Sequence, residues 1–275
     1  WSRLVGSEMC IRDSPNVVVE FETQYRRYNS ENPYIVVGIG DGSGNVVWPD
    51  LDPTTDITNM SNVFYAFPDW ASQSGVTGNA TANPEVVQVN ISAALVGLTT
   101  TQLADIYIRF NWTGTWGYAW FVDDFKIVEQ AANDIQAQSG WIFETNSNGA
   151  EYGRTPIAHA GTDYDIGGSV VNFGALDQTN VTLDVNFSGP STISSTSSIA
   201  LLENDSSHTF NSSENVNLQV GVYNGTYTFS SDADTADANN VYERNFEITS
   251  DLYSLDGINV HPTNSLDLSS LGSNS

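Results

Sequence analysis

Thiols and lysine are almost missing from this sequence, which has one cysteine, Cys10, and one lysine, Lys126, in 275 residues. A single thiol forms no intrachain disulfide and no zinc–thiolate cage. Basic residues number 8 against 33 acidic ones, for a formal net charge of −25. Such a surface repels nucleic acid phosphates and anionic membranes, so neither is expected as a partner. No apolar run approaches the ~18 residues that a spanning helix needs, and membrane insertion is not expected either. Catalytic signatures are missing as well: there is no GxSxG elbow, no HExxH and no phosphate-binding loop. The three histidines, His159, His208 and His261, are far apart, in segments that read as loops.

The N-terminus reads differently from the rest. The string LVGSEMCIRDS, Leu4 to Ser14, resembles an in-frame translation of the transposon adaptor used to prepare sequencing libraries. As an amphipathic segment it suits no neighbouring element, so residues 1–14 are set apart from fold reasoning. The authentic sequence is then expected to begin near Pro15, with any signal peptide lying upstream. Setting residues 1–14 aside removes Arg3, Arg12, Glu8 and Asp13 together with Cys10, and leaves the net charge at −25.

What the remainder has is alternation. Val17, Val19, Phe21, Thr23 and Tyr25 share one face of a strand, with Glu20, Glu22, Gln24 and Arg26 on the other. YIVVGIG, then Asp41-Gly42-Ser43-Gly44, then NVVW predicts a hairpin whose glycines supply positive φ. VVQVNISAAL predicts a further strand, and TTTQLADI one helical turn. ADIYIRFNW and YAWFVDDFKIV are expected to pair with each other as antiparallel neighbours across Gly114 to Gly117. EQAANDIQAQSG, Glu129 to Gly140, has little apolar periodicity and marks a domain boundary. Beyond it come the alternating series Val181–Phe187, Val216–Val222, Tyr227–Phe229 and Tyr242–Ile248. The expected fold is all-β: one antiparallel unit over 15–130, which the resemblance below makes a jelly-roll sandwich, an immunoglobulin-like sandwich over 131–250, and a linker or the start of a further module over 251–275.

The succession VVVEFETQYRRY, GDGSGNVVW and IYIRFNWTGTWGYAWFVDDFKI resembles the MAM and carbohydrate-binding jelly-roll modules of large secreted bacterial proteins. VVNFGALDQTNVTLDVNF, GTYTFSSDADTADANN and FEIT resemble the immunoglobulin-like spacers of the same proteins. The resemblance implies an extracellular or cell-surface location, which the cysteine-free, Asn-, Ser- and Thr-rich composition suits. It also implies that Asp123, the first Asp of the DD motif in VDDFKI, helps to bind a structural Ca²⁺.

The residues themselves frame the candidate sites. Regular strand geometry groups Asp123 with Phe121, Phe125 and Ile127 and points its carboxylate at the core. Burying it unpaired is expensive, so a cation, an arginine such as Arg26 or Arg109, or a bulge must compensate. Asp232, Asp234, Asp237 and Asn239 form a second oxygen-rich series, a candidate calcium loop or a solvated connection, without the EF-hand glycine and distal glutamate. Trp48, Trp70, Trp112, Trp116 and Trp120 crowd the first unit. Trp116 with Tyr118 is the candidate sugar platform and Asn111 the polar group that orients hydroxyls, while Trp112 and Trp120 are expected in the core. The expected function is a non-catalytic binding or adhesion module, for a glycan or surface polymer, monomeric as a fragment. Accessory domains of a secreted peptidase or polysaccharide-degrading enzyme, or a ligand-free stalk, are the alternatives.

Overall fold

The computed structural model describes residues 14–48, 60–71, 79–113, 117–147, 149 and 151–254. Trp116, His261 and all of the adaptor-like segment but Ser14 therefore lie outside the described residues. The chain divides after Gln130 into two compact units. Both are β-sandwiches, and the two α-helices among the described residues, α1 (Pro68–Ala71) and α2 (Thr100–Leu103), are single turns.

The first unit contains β1 (Val17–Tyr25), β2 (Asn32–Gly40), β3 (Val46–Val47), β4 (Val63–Tyr65), β5 (Glu85–Asn90), β6 (Ile106–Thr113) and β7 (Trp120–Glu129). One sheet runs β5-β1-β7. In the other, β2 pairs along its length with β6 and over shorter stretches with β3 and β4. First-with-last and second-with-penultimate pairing is the wrapping of a jelly roll. The inward residues of β1 are those its alternation predicts, from Val17 to Tyr25, and Val17, Val19 and Phe21 meet Ile35 and Val37 of β2 in one core. The predicted hairpin forms between β2 and β3, with Asp41 accepting the backbone N–H groups of Ser43 and Asn45 at its turn.

One expected pairing is corrected. β6 and β7 are not ladder neighbours: β6 lies against β2 and β7 against β1, in different sheets. Both strands carry large apolar faces that need covering, and they cover each other face to face. Phe110 of β6 meets Trp120 and Phe125 of β7 at ring separations of 5.6 and 5.4 Å, and Phe21 of β1 at 5.1 Å.

The second unit contains β8 (Ile135–Glu144), β9 (Arg154–Pro156), β10 (Asp163–Asn172), β11 (Gln178–Ser188), β12 (Ile193–Leu202), β13 (Ser207–Asn215), β14 (Gly221–Ser230) and β15 (Val241–Thr249). Its sheets run β13-β10-β8 and β12-β11-β14-β15-β9. The pairing is antiparallel except for β9, which runs parallel to β15. A first strand shared between the two sheets, with its second half parallel to the last strand, is the immunoglobulin-like arrangement. Tyr223, near the start of β14, is wholly buried. Its hydroxyl accepts the Gln219 N–H at 2.8 Å and donates to the Gln219 carbonyl at 3.2 Å. This is the tyrosine corner of such sandwiches.

Two sequence readings shift here. The aperiodic boundary segment is half strand, because β8 starts at Ile135 and uses Gly140 where the Tyr227 ring leaves no room for a side chain. The series Val216–Val222 is not one strand: Val216 and Leu218 are buried, but β14 begins only at Gly221, where inward parity passes to Tyr223, Tyr227 and Phe229. Val222 is consequently exposed.

Phe187 lies at the centre of this core, 5.7 Å from Tyr227 and 5.5 Å from Phe246. Phe187→Ala is expected to destabilise the second unit by about 3–5 kcal/mol, read by urea denaturation of the full chain. A loss under about 1 kcal/mol would mean that the ring is not packed as described.

Candidate functional site

At one end of the first sandwich, the segment after β1 and the entry to β7 form a rim of exposed rings. Tyr28 and Tyr118 are 39% and 49% exposed and meet edge to face at 5.8 Å. The Arg26 guanidinium lies 5.2 Å from the centre of the Tyr118 ring, a cation–π contact made by an exposed side chain. From there the outward face of β1 and β7 continues through Gln24 and Phe121, which are register partners, to Glu22 and Asp123, which are also partners. Phe121 is 61% exposed.

The rim stands on a buried carboxylate. Glu31 is 2% exposed and accepts the backbone N–H groups of Tyr28 and Asn29, at 2.5 and 2.8 Å. Burial pushes its acidity toward the neutral form, but these backbone donors and the Arg27 charge outweigh it and hold the pKa below the ordinary glutamate value. Gly117 is seated against it: a Cβ there would stand 2.6 Å from the Glu31 carboxylate and 2.8 Å from the Trp112 ring. Only glycine lets the chain pass so close. Trp112 in turn donates its indole N–H to the Tyr25 hydroxyl, which donates to the Glu31 carbonyl at 3.1 Å.

The predicted site residues fall in different places. Tyr118 is on the rim. Asn111 is not beside it, because it stands on the outward face of the other sheet, opposite Tyr34 of β2, and Trp116 lies outside the described residues. Trp120 enters the core as expected and donates its indole N–H to Thr23 at 2.9 Å. Trp112 is corrected to a half-open rim position, 39% exposed. Sequence reasoning missed Tyr28 and Glu31, although a glutamate inside the turn-like run YNSEN, three residues after a tyrosine, is a pattern in which a carboxylate collects backbone donors.

Asp123 is also corrected. A bulge shifts the β1–β7 register between Glu20 and Glu22, and Asp124 takes a left-handed φ of 45° to make it. The extra residue reverses parity, so Asp123 is exposed with Phe121 and does not point inward. Its carboxylate accepts the Asp124 N–H at 2.9 Å. Neither candidate arginine pairs with it, since Arg26 stacks on Tyr118 and Arg109 lies 4.7 Å from the centre of the Trp48 ring.

In the second unit Asp232 accepts from the Thr179 hydroxyl and the Asn180 amide at 3.0 and 2.6 Å, and Asp234 from the Ala236 N–H and the Asn240 amide at 3.0 and 2.5 Å. Asp237 opens a 3-10 turn, and Asn239 donates to Asp134 at 2.9 Å. These bonds tie the connection together rather than converge on one point. Among the described residues no group of three His, Cys, Asp or Glu side chains is placed to hold a metal ion.

No protein-family model matches the sequence, and no curated protein does. Solved structures similar to it include the β-glucuronidase of Parabacteroides merdae with glycerol in its active site, at 9% identity and a TM-score of 0.31 over 85% of this chain and 25% of that one. A Bacteroides uniformis β-glucuronidase matches at 8% identity and a TM-score of 0.30, over 89% and 25%. A second enzyme from that organism, bound covalently to cyclophellitol-6-carboxylate aziridine, matches at 10% and 0.29, over 84% and 24%. The chain spans about a quarter of the length of these enzymes, and likeness at this level bears on no residue of the site. Among the described residues no helix is long and apolar enough to cross a membrane.

Because the Glu31 pKa is depressed in the folded state, its stabilisation is fully present above the ordinary glutamate value of 4.5 and is lost as pH falls through the lower folded value. The first unit's melting midpoint is expected to decline below about pH 4.5. Glu31→Gln should lower the midpoint at pH 7 and flatten that acid decline, read by tryptophan fluorescence. An unchanged acid limb in the variant would remove Glu31 from the account.

Proposed function

We propose that this chain is a non-catalytic recognition segment of an exported protein, whose first unit binds a glycan or similar surface polymer along the Tyr28–Tyr118–Arg26 rim. The observation that carries this reading is the pair of half-exposed tyrosines, one beneath a stacked arginine, held on the buried Glu31 mount. Ring faces offer apolar area to the C–H face of a sugar, and the flanking Arg26, Gln24 and Glu22 offer donors and acceptors for hydroxyls. Among the described residues the rim presents no nucleophile with an adjacent base, which is why binding rather than turnover is the proposal. Tyr118→Ala and Arg26→Ala each remove exposed groups without touching the core. Either is expected to weaken glycan binding by about tenfold, roughly 1.4 kcal/mol, in titrations guided by a glycan array. A silent array together with silent titrations would leave a ligand-free stalk as the better description.

Calcium is the second element of the proposal. Glu22 and Asp123 oppose each other directly across β1 and β7, an arrangement of like charges that destabilises a strand pair and that a cation would relieve. Two carboxylates fall well short of the six to eight oxygens calcium takes, so such a site would be water-rich and weak. At about ten times its dissociation constant, calcium is expected to stabilise the first unit by roughly 1.4 kcal/mol. The gain should vanish with chelator and in Asp123→Ala, and a melting midpoint indifferent to calcium would strike the ion from this reading.

A further inference from the structure

A second candidate site lies wholly inside the second unit, where Glu144 and Ile142 of β8 face Phe246 of β15, with Tyr164 of β10 and the flanking Tyr152 and Tyr253 closing the sides. The cavity measures about 180 Å³, small beside the ~300–1,000 Å³ of pockets for drug-sized ligands. Its walls are built rather than adventitious. Tyr152 and Tyr253 meet edge to face at 4.6 Å. The backbone beside Tyr253 is tied down by reciprocal hydrogen bonds between Arg154 and Ser254, both at 3.0 Å. The residue before Tyr152, Glu151, accepts the Ile142 N–H at 3.1 Å and pairs with Arg244 at 2.9 Å.

One charge in this cavity has no counterpart. The ion pairs of the second unit join Arg154 to Glu247 and Arg244 to Glu151, and among the described residues none reaches Glu144. Glu144 is nevertheless held in place, because its side chain packs on Gly161 so closely that a Cβ there would collide with it. Its negative charge is felt by the neighbouring hydroxyls. Burial, and next the Glu144 charge, push the Tyr164 pKa up to about 12.

An uncompensated carboxylate among ring faces selects a particular kind of ligand. Small hard cations need six or more oxygens with several charged among them, and beside its one carboxylate this cavity is lined by rings, aliphatic groups and the neutral side chains of Ser147 and Thr155. A drug-sized molecule or an oligosaccharide needs several times the volume. A compact, weakly hydrated ammonium loses little water on entry and gains both the ring quadrupoles and the carboxylate. We propose that the second unit carries a binding site for an alkylated ammonium head group, with Glu144 supplying the charge and Tyr152, Tyr164 and Tyr253 the ring faces.

The test uses the full chain with choline, tetramethylammonium and 3,3-dimethylbutan-1-ol, the neutral isostere of choline, each titrated by NMR of the tyrosine ring resonances. Choline and tetramethylammonium are expected to saturate the same resonances, and the neutral isostere to bind about tenfold more weakly. Glu144→Gln, nearly isosteric, should weaken choline about tenfold and leave the isostere unchanged, abolishing the discrimination between the two. Tyr253→Ala, at a residue 45% exposed, should weaken both ammonium ions without lowering the melting midpoint. Equal binding of choline and its isostere to the unaltered chain, or no saturable shift with either ammonium ion, would overturn the proposal.

Discussion

The meeting of Phe110 with Phe21, Trp120 and Phe125 across the first sandwich is the contact on which the rest of that unit depends. With no disulfide available to link its sheets, each has one apolar face and only the other sheet to cover it. That requirement decides where the chain goes. If β6 and β7 paired edge to edge, their aromatic residues would lie on one surface and stay wet. Placing them in opposite sheets buries both, and the connection between them then has to cross the end of the sandwich. Gly117 and Tyr118 lie in that crossing, so the location of the aromatic rim follows from the packing of the core.

The second unit meets the same requirement with a poorer vocabulary. β12 and β13 are built largely from serine, threonine and asparagine. Their inward positions are consequently few, with Ile193, Leu202 and Phe210 carrying most of the burial. Weight falls on β11 and β14, which share Leu183, Val185, Phe187, Tyr223, Tyr227 and Phe229. Polar contacts supply the rest, as in the Tyr223 corner and in buried Asn172, which donates to the carbonyls of Leu176 and Leu202, both at 3.0 Å. Such bonds add little net stability each but fix which loop lies where, since a buried amide left unmatched is expensive.

This division explains what was legible in the sequence. Period-two strands with large inward residues, such as β1 and β11, read correctly because burial itself writes that pattern. The hydroxyl-rich β12 and β13 carry too little apolar contrast to show a face. The Val216–Val222 series shows the converse error, in which two buried residues and two exposed ones happen to alternate across the start of a strand. At the site the failure was one of parity. A single bulge at Asp124 turned Asp123 outward, and no periodicity argument sees an inserted residue except through the energetic objection to a buried carboxylate. That objection was sound, and the bulge was among the remedies it allowed. Glu31 escaped because its role depends on chain folding back around Gly117, a contact between residues far apart in sequence.

The distribution of cations gives the acidic composition a physical meaning. Six basic side chains lie in the described part of the chain, and four of them neutralise carboxylates: Lys126 with Glu20, Arg154 with Glu247, Arg244 with Glu151, and Arg27 acting on Glu31. In a protein with so few positive charges, Arg26 and Arg109 would gain Coulomb energy by joining the carboxylates, yet both lie on aromatic rings instead. Each guanidinium, planar by its own delocalisation, lies over a ring; Arg26 is exposed there, whereas the Arg109 Nε is buried. The surrounding negative field meanwhile discourages sheet edges from pairing with other copies. Burial pulls the Arg109 pKa down, so that ring contact is held against a desolvation cost that the exposed Arg26 escapes.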